Sequence, residues 1–324
     1  MRHPSRRQVI SALGLALTAG RPVSSFAQPA YPTKSVRVIV PFPAGTSPDV
    51  IARLWGDRFM RATGQAVVID NRPGASTIIA AQAAAAAPAD GYTLLWTVNN
   101  TFSINPFVYQ KLPYKLDDFS PVTRILSVPY VLVVSAESRF RTFEELIQEA
   151  RTKPGSLSYA SAGIGGGLHV AMARLLNAAG VSMVHVPYKD YFGTDLIAQR
   201  VDVALDATTT ALPQIRGGKY RALAVTSPKR IDALPDCPAI AETYPGFAGD
   251  SWQGIFVPKG TPDQISMSLA AQSRRIVESV DFRSALQGYG LTPVEDSMAT
   301  FRQFLSEDAR AWAKVVKDNA IKVE

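Results

Sequence analysis

The 324-residue chain predicts an α/β fold of two lobes, each a mainly parallel sheet with helices on both faces, and a ligand cleft between the lobes. Three observations carry that prediction. Short β-branched runs alternate with helical segments along the chain, which is the pattern of α/β layers. The middle third forms an α/β unit of its own and the last third returns with a strand and helices, so one lobe is discontinuous. Two strand ends, "PFPAGTSPDV" and "YASAGIGGGLH", open through small-residue loops into helices, the place where such sheets bind ligands. The lobes are drawn at residues 30–125 plus 228–324 and at 126–227, hinged near 123–128 and 225–227.

The elements follow in order. "VRVIV" at 36–40 is a strand, and Ser47-Pro48-Asp49 starts a helix, with Ser47 placed to cap the free amides and Pro48 where no N–H is needed. Gly64 ends that helix. Strands at 66–69 and 92–97 bracket an Ala-rich helix at 77–87, whose five consecutive alanines suit close helix packing. "PYVLVV" at 129–134 is a strand, and Thr142-Phe143-Glu144-Glu145 is a capping box opening a helix. A strand at 157–160, the glycine loop and a helix at 168–179 come next. Strands at 183–186 and 201–205 flank a helix that starts at Thr194, and 221–225 is another strand. A Pro/Gly-rich passage leads to "SWQGIFVPKGTP", and three helices close the chain.

At 47% hydrophobic residues the composition is that of a soluble globular protein. Residues 1–27 differ: a basic start, an apolar run from Val9 to Leu17, and small residues at Ser25 and Ala27 read as an export signal. Ser5-Arg6-Arg7 leaves a twin-arginine variant open beside general secretion. No later stretch is long and apolar enough for a membrane span, so a periplasmic protein is expected. The formal charge is +7, but four arginines and no acid lie within residues 1–27, leaving about +3 elsewhere. With basic residues scattered along helices, nucleic-acid binding loses its support. Cys237, the single cysteine, cannot form an intramolecular disulfide.

Reactive constellations are missing. "YASAG" has Tyr159 where a nucleophile elbow needs glycine, "RGGKY" lacks the P-loop spacing, and "GIGGGL" ends on Leu168 where a dinucleotide fingerprint needs Gly or Ala. His169 and His185 are 16 residues apart without metal-ligand spacing. No catalytic residue, metal or cofactor is expected. The loops suit a small anion instead. Ala44, Gly45 and Thr46 let a ligand approach the backbone, Thr46 and Ser47 add hydroxyls, and Phe42 is placed either to floor a pocket or to sit in the core. Asp49 in the first helical turn opposes an anion unless it turns away. Ser161, Ala162, Gly163 and Gly165 repeat the arrangement at the second loop. Asn99 and Thr101 follow one strand and Asp206 and Thr208 another, with Asp206 able to accept from a ligand amine or hydroxyl. Tyr188 and Lys189 follow "VHVP" and reach toward the cleft.

The segments "YPTKSVRVIVPFPAG", "VIDNRPGAS", "ADGYTLLW", "LPYKLDDFSPVTRI", "YASAG", "HVPYK", "VDVALD", "RALAVTSPKR" and "SWQGIFVPKGTP" stand in an order that resembles the periplasmic receptors of tripartite tricarboxylate transporters, often called Bug receptors. The resemblance implies a type II-like periplasmic binding-protein fold that closes on a small carboxylated solute and delivers it to membrane permease subunits. It implies carboxylate recognition by backbone amides and hydroxyls with little use of arginine. It carries Phe42, Ala44, Gly45, Thr46, Ser161, Ala162, Gly163, Asp206 and Thr208 into the site. Three departures stand out: Thr46 replaces a usual second glycine, glycines replace Ser/Thr before His169, and "YKDYFGTDLIAQRVD" is shortened, bringing Tyr191 and Phe192 near the cleft rim. Together they imply a more apolar or aromatic acid. A ligand sensor presenting its closed form to a signalling partner and an exported enzyme acting on a small acid are the alternatives. A monomer is the default for a receptor that must close freely.

Overall fold

The computed structural model describes residues 31–323, so the export-signal reading of residues 1–27 lies outside the described residues. The chain builds one sheet, crosses to a second, and returns. β1 (Val36–Val40), α1 (Ser47–Thr63), β2 (Val67–Asn71), α2 (Ile78–Ala85), β3 (Thr93–Val98), α3 (Asn105–Val108) and β4 (Phe119–Val128) come first. The second unit is β5 (Tyr130–Ser135), α4 (Phe143–Thr152), β6 (Ser158–Ser161), α5 (Gly167–Ala179), β7 (Val184–Pro187), α6 (Gly193–Ile197), β8 (Val203–Ala207), α7 (Thr208–Arg216) and β9 (Tyr220–Val225). The chain ends with α8 (Ile240–Thr243), β10 (Ser251–Pro258), α9 (Asp263–Glu278), α10 (Val280–Gly288), β11 (Thr292–Pro293) and α11 (Met298–Asp318).

The sheets run in the order β11-β4-β10-β3-β1-β2 and β7-β6-β8-β5-β9. Most strands of each sheet run in one direction, as expected, with antiparallel strands set among them. β2-β1-β3 and β7-β6-β8 are the parallel pairs, each joined through helices, whereas β10 and β5 run antiparallel to the neighbours on both sides. β4 leaves the first sheet and β10 re-enters it, so the two lie antiparallel from Ser251 opposite Val128 to Pro258 opposite Phe119. β5 enters the second sheet and β9 leaves it, with the same result.

Local chemistry accounts for the elements. In α1 the buried Ile51, Trp55 and Phe59 recur at helical spacing, and Gly64 ends the helix at φ 73°. Ser47 is its first residue and not its cap; Thr46 holds the cap position without a side-chain bond. α4 starts as its sequence demands: Thr142 Oγ1 accepts from the Glu145 N–H at 3.2 Å and Glu145 Oε2 from the Thr142 N–H at 3.3 Å. α2 starts later than its composition suggests, because Ala75, Ser76 and Thr77 all take positive φ. Its Ala80, Ala81 and Ala84 pack on Ile39 and Leu95.

Helices cover both faces of the first sheet. Trp55, stacked on Phe59 at 4.7 Å, fills one face with Val36, Val38 and Trp96. Phe102, Phe256 and Phe301 fill the other. α11 belongs to both cores: Phe301 and Leu305 pack on the first sheet, whereas Trp312, Val315 and Val316 lie in the core of the second. The strand crossings are also tied together. Asp250 accepts from Thr226 Oγ1 at 2.7 Å and Ser127 Oγ at 3.1 Å, while the Thr226 N–H donates to the Tyr130 carbonyl at 2.9 Å.

Candidate functional site

A cavity of 410 Å³ opens where the carboxyl ends of β1, β3, β6 and β8 face one another. From the first-sheet side it is walled by Phe42, Ser47, Ser76, Asn100, Ser251 and Gln253, and from the second by Tyr130, Ala162, Ile164, Gly167, Leu168 and Ala207. Four helices begin at its wall: α1 at Ser47-Pro48, α2 behind Thr77, α5 at Gly167, and α7 behind Ala207. Unbonded N–H groups and the partly positive helix ends give such a wall an affinity for anions. No Lys, Arg, His, Asp or Glu side chain among the described residues lines it. Among the described residues the wall itself presents backbone and neutral dipoles.

Each polar wall residue is held from behind. Gln253 is buried, accepts from Trp96 Nε1 at 2.9 Å and donates to Ser47 Oγ at 3.3 Å, which leaves the Ser47 proton to donate into the cavity. Ser251 Oγ donates to Asn99 Oδ1 at 2.7 Å, and Asn99 Nδ2, fully buried, has no partner among the described residues. Burial pushes the Tyr130 hydroxyl up to about 12, with a bond to Ser251 pulling the other way, so it stays a neutral donor. Ser76 and Thr77 hold φ of 47° and 80°. That strain is kept in place by Asn105 Nδ2 on the Ser76 carbonyl at 2.7 Å and by Thr101 Oγ1 donating to Thr77 Oγ1 at 2.8 Å.

Of the residues expected from sequence, Phe42, Ser47 and Ala162 line the cavity. The others stand behind it. The Gly45 N–H donates to Asp49 Oδ2 at 2.8 Å, and Thr46 Oγ1 donates to the Pro43 carbonyl at 2.7 Å, so with Ala44 the first loop turns its groups on itself. Asp49 is buried and also binds Asn71 and Arg53. Burial alone would raise its pKa; the bonds from Arg53, Gly45 and Asn71 outweigh that and hold it low. Thr101 supports Thr77 instead of a ligand. Ser161 Oγ donates to the Gly163 carbonyl at 3.1 Å and pairs with His185 Nε2 at 2.7 Å. The Gly165 N–H donates to His169 Nδ1 at 3.0 Å, and the His169 and His185 rings stack at 3.9 Å. Burial pulls both imidazoles down, His169 to about 4, so the pair is a neutral support for the loop.

Tyr188 spends its hydroxyl on Asp195 at 3.0 Å. Asp206 is buried, accepts from Tyr191 at 2.7 Å and Thr210 at 2.5 Å, and does not line the cavity. Thr208 is buried against Gly290 with no partner for its hydroxyl among the described residues. Tyr191 is half exposed with its hydroxyl on Asp206, and Phe192 is buried in the core; neither lines the cavity. Sequence reading missed Ser76, Asn100, Tyr130, Gly167, Ser251 and Gln253. The signals were present in "NRPGAS", "VNN", "PYV" and "SWQG", each at the end or start of a strand. Cys237 is buried and its thiol pushed up to about 12 by that burial, which makes it unreactive.

Burial raises the pKa of Asp206 to about 6, with the Thr210 and Tyr191 bonds opposing the shift. Between the unfolded carboxylate range near 4 and about 6 the folded state therefore holds more protons, and this contribution lowers stability as pH rises through that window. Asp206→Asn removes it. The variant's stability relative to the parent, from denaturant titrations, is expected to improve between about pH 4 and pH 7; a pH-independent difference would contradict the buried carboxyl.

The family described as "Tripartite tricarboxylate transporter family receptor" matches residues 51–321. The "UPF0065 protein in tcbD-tcbE intergenic region" of Pseudomonas sp. strain P51 is 38% identical over 319 residues, covering 96% of this chain and 94% of that one. The structure "R. palustris Rpa4515 with adipate" is 33% identical with a TM-score of 0.83, covering 90% of this chain and 100% of the other. "Structure of periplasmic binding protein BugD" is 30% identical with a TM-score of 0.80, covering 90% and 100%. With two mixed sheets, a cavity at the facing strand ends and helix starts in place of cationic side chains, the chain belongs to the tripartite tricarboxylate transporter receptor family, a family of solute-binding receptors.

Proposed function

We propose that the protein is an extracytoplasmic receptor that captures a small organic acid in the 410 Å³ cavity and hands it to the permease subunits of a tripartite transporter. The observation that carries this reading is the convergence of the α1, α2, α5 and α7 starts on one cavity walled from both sheets. A carboxylate there takes N–H groups from α1 and α5 together, so binding favours a closed arrangement of the two units. The units are residues 30–125 plus 228–324 and 126–227, with the second half of α11 moving with the latter because it sits in that core. The relative described with adipate supports an acid ligand.

The test is thermal unfolding of protein freed of carried-over ligand by unfolding and refolding, against aliphatic, amino and aromatic carboxylates. A ligand of the folded state raises the apparent stability as its concentration rises, by about 2.7 kcal/mol at one hundred times Kd. A concentration-dependent rise with at least one acid is expected. No rise with any acid, from protein shown to be correctly refolded, would contradict the reading.

A further inference from the structure

The buried carboxylates around the cavity are all occupied by protein donors. Asp49 faces Gly45, Asn71 and Arg53; Asp206 faces Tyr191 and Thr210. Asp250 accepts from Thr226 and Ser127, and Asp308 from Trp252 and Trp312. None of the four reaches the cavity wall. A ligand ammonium inside would meet no anionic side chain of the described residues on the wall, only neutral oxygens such as Asn100 Oδ1, and the positive ends of four helices would oppose it. The space between the polar wall groups is bounded by Phe42, Val98, Val128, Ile164 and Leu168.

Resting on the organic-acid reading above, we propose that this cavity selects carboxylates that carry no amino group and have an apolar body, and rejects amino acids of the same shape. Two features of this chain produce the selection. The carboxylate best placed in sequence to receive an amine, Asp206, is occupied by Tyr191 and Thr210 and lies off the cavity wall. The glycines at 165–167 also leave no side-chain acceptor at the start of α5. The acid is thus recognised by donors throughout, and its body by carbon.

The experiment is calorimetric titration of the refolded protein with matched pairs: hexanoate against norleucine, adipate against 2-aminoadipate, 3-phenylpropionate against phenylalanine. The unaminated member of any pair that binds is expected to bind on the order of a hundredfold tighter, as follows from desolvating an unpaired ammonium. Affinities within threefold in a binding pair would overturn the selection while leaving the organic-acid reading intact. Binding by none of the acids, aminated or not, would overturn both. The isosteric Asn100→Asp places one carboxylate on the wall, and it is expected to shrink the acid-to-amino-acid ratio at least tenfold by weakening the acid and admitting the amine. An unchanged ratio would overturn the electrostatic basis even if the parent discriminates.

Discussion

Replacing Gly167 by alanine is expected to weaken organic-acid binding by at least about tenfold, or about 1.4 kcal/mol, a loss read separately from any change in the stability of the ligand-free protein. Gly167 opens α5 with helical backbone angles, so alanine meets no conformational strain, and as a better helix former it adds up to about 1 kcal/mol to the helix. The obstacle lies outside the helix. A methyl group there falls 2.9 Å from both Asn100 Oδ1 and the Tyr130 hydroxyl, and 3.7 Å from Asn99 Oδ1. These groups front the free α5 amides, so the methyl must push them apart or fill the space that a carboxylate would take. Calorimetric titration against the best acid, with a denaturant titration of the same sample, separates the two effects. Unchanged affinity would show that the ligand does not sit at the α5 start.

Trp312→Ala is expected to cost about 3–5 kcal/mol of stability, the largest effect of any single change argued from this structure. The indole is 1% exposed, donates from Nε1 to Asp308 Oδ1 at 2.9 Å, and lies 5.4 Å from the Arg174 guanidinium. It brings the end of α11 into the second core with Val315, Val316 and Ile321. Truncation leaves a large void and removes one of the indole donors that satisfy Asp308, a buried carboxyl whose pKa burial already raises. The denaturant midpoint reads the loss, and a shift equivalent to less than about 1 kcal/mol would contradict the placement of α11 in the second core.

Periodicity and punctuation made most of the local structure legible. The Ile51, Trp55 and Phe59 spacing, the Gly64 stop and the Thr142 capping box are each determined by neighbours in sequence, so they could be read from sequence. The direction of the strands that return from the other sheet could not. Whether β4 and β10 run antiparallel depends on the chain leaving one sheet and returning, a contact across more than a hundred residues. The same division runs through the site. The cavity's position at strand ends was legible from its two loops, but the loops' polar groups were assigned outward because nothing local showed that Asp49 folds back onto the Gly45 amide or that Tyr191 takes Asp206. Gly167, Ser251 and Gln253 became wall residues through packing between elements far apart in sequence. The Ser76-Thr77 backbone strain had no sequence signature beyond the Gly74 that precedes it.

The most direct test of the cavity as the binding site is amide hydrogen exchange of the refolded protein with and without a saturating acid identified in the thermal screen. The N–H groups of Gly167, Leu168 and His169 at the start of α5, and of Ser47 and Asp49 at the start of α1, have no helical partners and should exchange readily when free. With acid bound, both segments are expected to become protected together. Protection of only one, or of neither while binding is saturated, would place the ligand elsewhere and contradict the account.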